Sequence, residues 1–248
     1  MTISPRCSTL ALRKYEPHHR STFQWDPLQR SLSNVTTPNY VEVASGSGPR
    51  HMVLAKFKHG RVAHVLCEMG SFVSTFEVKS KTGALGAEIS RVPTLPADPA
   101  DDGVFNKAAE IVLAPGGECR PLLRARQITR NACCMCRQSV SVASLKLHFV
   151  RSGGAVWVSN RGFSAGSNTI CLLEMDAVSG ALTAAKTCVS SGGTFPRGVA
   201  LATGEAQNYL LVGGQDSENI ATFVVEKGSN QLKLAQNLTG VVTPVTFA

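Results

Sequence analysis

Short runs of alternating or wholly apolar residues, separated by polar turns, recur along this chain, and three of them align with one another. Residues 65–78 read VLCEMGSFVSTFEV and are followed by Lys81-Thr-Gly-Ala-Leu85. Residues 157–162 (WVSNRG) and 169–175 (TICLLEM) are followed by Val178-Ser-Gly-Ala-Leu182. Residues 211–225 (LVGGQDSENIATFVV) are followed by Gly228-Ser-Asn-Gln-Leu232. Each reads as strand, polar turn, strand, Gly or Asn turn, and the start of another strand. A partial fourth copy is residues 23–32 (FQWDPLQRSL). An earlier strand repeats as well: residues 49–55 (PRHMVLA) match 196–202 (PRGVALA), with a weaker copy at 109–115 (AEIVLAP).

Four short strands per unit of roughly 40–50 residues predict an all-β chain, a partial β-propeller of four-stranded antiparallel blades. The propeller is expected over residues 23–248, after an irregular segment 1–22. The competing reading, a sandwich whose hairpins look alike by chance, does not explain the paired PRxxxLA elements.

One stretch breaks the pattern. Residues 118–153 hold six arginines and four cysteines and show no β alternation. Removing them joins Ala114-Pro-Gly-Gly117 to Ala155-Val-Trp157 and restores an ordinary hairpin. This is expected to be an unstructured insertion. Gly117-Glu-Cys119 can be encoded GGT-GAG-TGT, which contains a splice-donor pattern, so untranslated sequence read through is one origin and a true inserted loop is the other.

The net charge of +8 changes little once the charges are located. Residues 118–151 carry a net +6 and residues 1–24 a net +3, which leaves −1 for the repeats. A nucleic-acid binder carries its basic patch on folded elements, so no nucleic acid is expected as partner. No run of about 18 apolar residues is present, so no membrane span is expected. Residues 1–20 lack a signal peptide's apolar stretch. Cys67, Cys171 and Cys188 lie in apolar strand patterns and read as buried thiols, and with the N-terminus they suggest a reducing, cytoplasmic setting. Cys119, Cys133, Cys134, Cys136 and His148 have no standard zinc spacing, so neither metal nor cofactor is expected.

The repeat itself gathers the candidate chemistry. Arg50 and His51 precede one blade's innermost strand, and Arg197 repeats the place of Arg50. Glu68 and Arg161 occupy equivalent turns of two blades. Propeller sites sit where such turns converge at the channel mouth.

At this point the motifs resemble a family. Gly46-Ser-Gly-Pro-Arg-His51, Leu66-Cys-Glu68, Val158-Ser-Asn-Arg-Gly162, Gly193-Thr-Phe-Pro-Arg-Gly198 and Gln215-Asp-Ser-Glu-Asn219 are similar, in order, to signatures of the seven-bladed lactonase propellers. That group includes bacterial-type 6-phosphogluconolactonases and fungal carboxy-cis,cis-muconate cyclases. The resemblance spans about residues 23–117 and 154–248, equivalent to four C-terminal blades. Cys67 stands where the family usually has Asn. His18 and His19 are spaced too closely to Gly46 to take the family's earlier histidine role.

The resemblance implies hydrolysis of a sugar-acid lactone, with a muconate cyclase as the alternative. Glu68 would act as general acid/base assisted by His51. Arg50, Arg161 and Arg197 would grip anionic groups and stabilise charge. Asp216 and Asn219 are candidate substrate-binding residues, with a turn role as the alternative. The expected partner is a small anionic lactone or carboxylate. A non-enzymatic scaffold, or an inactive product, is the alternative class. Exposed blade edges lead us to expect self-association.

Overall fold

The computed structural model describes residues 41, 43–79, 84–96, 106–115, 152–162, 166–185, 187–202 and 207–242, together with the backbone of three strands before them. Those three are β1 (Cys7–Leu10), β2 (Thr22–Asp26) and β3 (Ser31–Asn34), which form a three-stranded sheet. Three four-stranded sheets follow. The second sheet holds β4 (Pro49–Phe57), β5 (Gly60–Cys67), β6 (Phe72–Val78) and β7 (Leu85–Pro93). The third holds β8 (Asn106–Pro115), β9 (Ser152–Gly162), β10 (Thr169–Glu174) and β11 (Thr187–Ser190). The fourth holds β12 (Pro196–Ala202), β13 (Asn208–Gly214), β14 (Asn219–Val225) and β15 (Leu232–Thr239). Every sheet is antiparallel and ordered as in the chain, the arrangement of successive propeller blades. No described helix is long and apolar enough to cross a membrane.

Register makes the repeat exact at the level of single residues. Met52 pairs with Val65, Ile111 with Val158, and Val199 with Val212. Counting from these pairs, Arg50, Ala109 and Arg197 are equivalent, as are His51, Glu110 and Gly198. Glu68, Arg161 and Gln215 form a third equivalent set. The sequence alignment of 109–115 with 196–202 is therefore one residue out. The same one-residue irregularity opens all three first strands, between Pro49 and His51, Ala108 and Ile111, and Pro196 and Gly198.

Both faces of the middle sheets are buried. Val53, Leu66 and Val73 of the second sheet pack on Ile111, Leu113, Val156 and Val158 of the third. Val112, Trp157 and Ile170 of the third pack on Val199, Leu210, Val212 and Phe223 of the fourth. Alternation along each strand sends successive side chains into these two layers.

His64 lies inside the first of these layers. Its Nδ1 is 2.9 Å from Thr75 Oγ1, while its Nε2 is buried with no hydrogen-bond partner among the described residues. Burial pushes its pKa down from the usual 6.5 to about 3. The unfolded histidine binds a proton below about pH 6.5 and the folded one does not until about pH 3, so unfolding takes up a proton between these values. Stability from this group is full above pH 6.5 and falls by up to about 1.4 kcal/mol per pH unit as pH drops. Urea unfolding at pH 7, 5 and 4 tests this. The slope should shrink in His64→Leu, and an unchanged slope in that variant removes His64 as its source.

Three expectations need correction. Residues 1–22, expected to be irregular, contain the strand Cys7–Leu10, which pairs with β2. Cys171 and Cys188, expected to be thiols, form a disulfide across the β10–β11 pair, and among the described residues Cys67 is the one buried cysteine outside a disulfide. The cysteine argument for a reducing compartment falls with that bond. The expected insertion 118–153 runs two residues too far, because β9 begins at Ser152. Its remainder, with Cys119, Cys133, Cys134, Cys136 and His148, lies outside the described residues. So do His18 and His19.

Candidate active site at the blade junction

The turn that presents Glu68 is built by the loop before β4. Ser47 and Gly48 carbonyls accept hydrogen bonds from the amides of Met69 and Glu68 at 3.0 and 2.8 Å. Gly48 sits at φ +61°, and a Cβ there would meet Met69 Cγ at 2.7 Å. The glycine is thus required on both conformational and steric grounds. An irregularity between Pro49 and His51 then turns Arg50 out of the ladder. The Glu68 carbonyl accepts from Ala108 N at 3.2 Å, which pins the turn to the first strand of the next blade.

Glu68 stands at the centre of a charged cluster. Arg50 Nη1 donates to its Oε2 at 3.2 Å, and Arg161 Nη2, from the next blade, donates to its Oε1. Arg50 Nε also donates to Ala109 O at 2.8 Å. The pair is largely withdrawn from water: Glu68 is 4% exposed and Arg161 8%. Burial lowers the Arg161 pKa from its usual value, and repulsion from Arg50 and Arg197 adds to this, while attraction to Glu68 opposes it. Arg161 Nε is buried and has no hydrogen-bond partner among the described residues. Two guanidiniums therefore share one carboxylate, and a third, Arg197, is close enough to Arg161 to repel it, which leaves an excess of positive charge suited to an anion.

The repeat is visible in this chemistry. Arg197 Nη1 donates to Gln215 Oε1 at 3.1 Å, and this is the Arg50–Glu68 contact rebuilt two blades further along the chain with a neutral acceptor. The equivalent set Glu68, Arg161 and Gln215 thus presents an acid, a base and an amide from three successive blades.

Two residues of this region were not singled out by the sequence. Glu110 Oε1 lies 3.5 Å from His51 Nδ1, an ion pair between neighbouring blades when the histidine is protonated. Gln215 was seen as part of a motif and given no role of its own. The signal for Glu110 was present, since an acidic residue interrupts an apolar run there, but the one-residue slip gave it the place of Arg197.

The remaining candidates are placed differently. Asn219 is buried at the start of β14, where its side-chain amide donates to Gly192 O at 2.9 Å and is also tied to Ser217 and Asn237. Asp216 is exposed on the turn between β13 and β14, and its backbone amide donates to Thr194 O at 3.3 Å. Neither contacts the Glu68 cluster. No group of three or more metal-ligating side chains occurs among the described residues.

Comparison with known proteins agrees with this fold. The family described as Lactonase, 7-bladed beta-propeller matches residues 21–119 and 135–248. No curated protein matches the chain. Among solved structures, a Lactobacillus plantarum protein is 23% identical with a TM-score of 0.64, covering 92% of this chain and 51% of its own. A Bacteroides fragilis protein provisionally described as a 6-phosphogluconolactonase is 21% identical with a TM-score of 0.60, covering 92% and 50%. The Pseudomonas aeruginosa periplasmic gluconolactonase is 23% identical with a TM-score of 0.55, covering 91% and 49%. At these identities the likeness establishes the fold. The chain spans about half the length of these solved proteins. On the extent of the family match, the chain belongs to the lactonase family of seven-bladed β-propellers.

Proposed function

We propose that this rim binds a small anionic lactone and hydrolyses it, the substrate class being a sugar-acid lactone such as 6-phosphogluconolactone. The observation that carries the reading is a nearly buried carboxylate with one guanidinium on each oxygen, beside a third arginine and a His–Glu pair. An incoming phosphate or carboxylate competes with Glu68 for the arginines. As a guanidinium moves to the substrate, Glu68 loses a stabilising partner and becomes a stronger base. It then takes a proton from water as the water oxygen attacks the lactone carbonyl. Arginine stabilises the oxyanion that forms. On collapse the ring C–O bond breaks, and the leaving oxygen takes a proton from Glu68 or His51.

The family match and the gluconolactonase among the structural neighbours support this reading over a scaffold. The second reading, cyclisation of a carboxymuconate, uses the same arginines to hold carboxylates, with Glu68 or His51 delivering a proton to carbon. Both reactions are assayed side by side on the same preparation. Glu68→Gln should lower kcat by about a hundredfold or more in whichever assay is active. Silence of the folded protein in both would sink the enzymatic reading.

A further inference from the structure

We propose that Arg197 and Gln215 form a subsite for an anionic group remote from the reacting carbonyl, and that the neutral amide of Gln215 sets a preference for a phosphorylated substrate. The lactone to which that group belongs rests on the reading given above.

Two turns of the rim share one backbone pattern. In the second blade Glu68 N donates to Gly48 O at 2.8 Å, and Met69 N to Ser47 O at 3.0 Å. In the fourth blade Gln215 N donates to Phe195 O at 3.0 Å, and Asp216 N to Thr194 O at 3.3 Å. Gly48 and Phe195 both take left-handed φ values, +61° and +53°. An irregularity between Pro49 and His51, and another between Pro196 and Gly198, turns Arg50 and Arg197 out of their ladders. Each arginine then reaches the side chain its own turn presents. Arg50 Nη1 donates to Glu68 Oε2 at 3.2 Å, and Arg197 Nη1 to Gln215 Oε1 at 3.1 Å. At the acceptor the two frames differ in a single group, a carboxylate in one and an amide in the other.

That difference divides the work of the arginines. Glu68 accepts from both Arg50 and Arg161, so an anion reaches either by competing with a carboxylate. Among the described residues no carboxylate pairs with Arg197, and its Nη2 and Nε donate to none of them. A hydrogen bond to an amide fixes the direction of the guanidinium and leaves its charge in place. That charge is felt across the rim, where it adds to the repulsion that disfavours charge on Arg161. An oxyanion held at Arg197 relieves this repulsion and takes two parallel donors from the fork. A hydroxyl in the same place gains one neutral hydrogen bond and relieves nothing. Arg197 is only partly buried, so the phosphate of a bound sugar has access to it.

The test compares 6-phosphogluconolactone with unphosphorylated gluconolactone as substrates of the whole chain. Gln215→Glu keeps the size of the side chain and converts the subsite into a closed ion pair. It should lower kcat/KM for the phosphorylated lactone about tenfold more than for the other. The loss should fall mainly on KM, because the phosphate is held alike in ground and transition states. Arg197→Gln removes the charge instead of pairing it and should move the ratio in the same direction. Calorimetric titration with 6-phosphogluconate and with gluconate reads the same preference without turnover. A loss of that preference in Gln215→Glu, in a protein that hydrolyses neither lactone, supports the subsite and removes the lactonase reading. Turnover whose ratio is unchanged in both variants overturns the subsite and leaves the lactonase reading standing. Equal affinity of the wild-type chain for the two acids, or none for either, also overturns the subsite.

Discussion

Glu68→Ala is expected to destabilise the fold by about 3–5 kcal/mol, more than any other single change at the rim. The cost comes from what is left behind rather than from the lost attraction alone. Arg161 is 8% exposed and already has its charge disfavoured by burial and by two neighbouring guanidiniums. Glu68 is the group that opposes those effects. Without it, Arg50 and Arg161 face each other across a poorly hydrated gap. Glu68→Gln should cost less, because an amide oxygen still accepts one hydrogen bond. Replacing all three residues with apolar ones of similar volume should recover most of the loss, since no unpaired charge then remains. Urea unfolding of the single and triple variants measures this. A cost below about 1 kcal/mol for Glu68→Ala would mean that water screens the cluster as it screens surface pairs.

Trp157→Ala is expected to cost a similar amount, about 3–5 kcal/mol, by a different mechanism. The indole is 1% exposed and fills the layer between the third and fourth blades, among Val112, Ile170, Leu210 and Phe223. Its Nε1 also donates to Asn230 O at 3.2 Å in the turn before β15. Truncation opens a cavity between two sheets that cannot approach, because their inner strands are fixed at the rim. It also strands the Asn230 carbonyl. Trp157→Phe should separate the two contributions by keeping most of the volume and losing only the hydrogen bond. If Trp157→Ala cost less than about 1.5 kcal/mol, the two blades would have to be free to close on each other.

Much of this architecture is legible in the sequence, and the reason is physical. A blade is a local object: each strand pairs with the next one along the chain, so turn residues and alternation are enough to place it. That is why the equivalence of Arg50 with Arg197 and of Glu68 with Arg161 could be read before any coordinates. What escaped depends on register across elements. The Cys171–Cys188 bond requires those residues to be opposite one another, and the sequence between β10 and β11 does not fix that alignment. The His51–Glu110 pair joins two different blades at a point where β8 departs from regular pairing. Alternation carries no information about which residue of one blade faces which residue of the next. Asn219 was drawn toward the site by its motif, yet a buried amide satisfied by Gly192 and Asn237 is the signature of a turn held in place.

The hairpin of β8 and β9 has one more implication. Pro115 pairs with Ser152, so residues 116–151 leave and rejoin the blade at a single point. The other end of that hairpin pairs Lys107 with Arg161, beside the rim. Length added or lost at 116–151 therefore enters at the end remote from the chemistry, and it shifts neither strand against the other. Transcripts with and without these codons would yield proteins carrying the same arrangement of Arg50, Glu68 and Arg161, and a reporter domain grafted there would be carried without touching it.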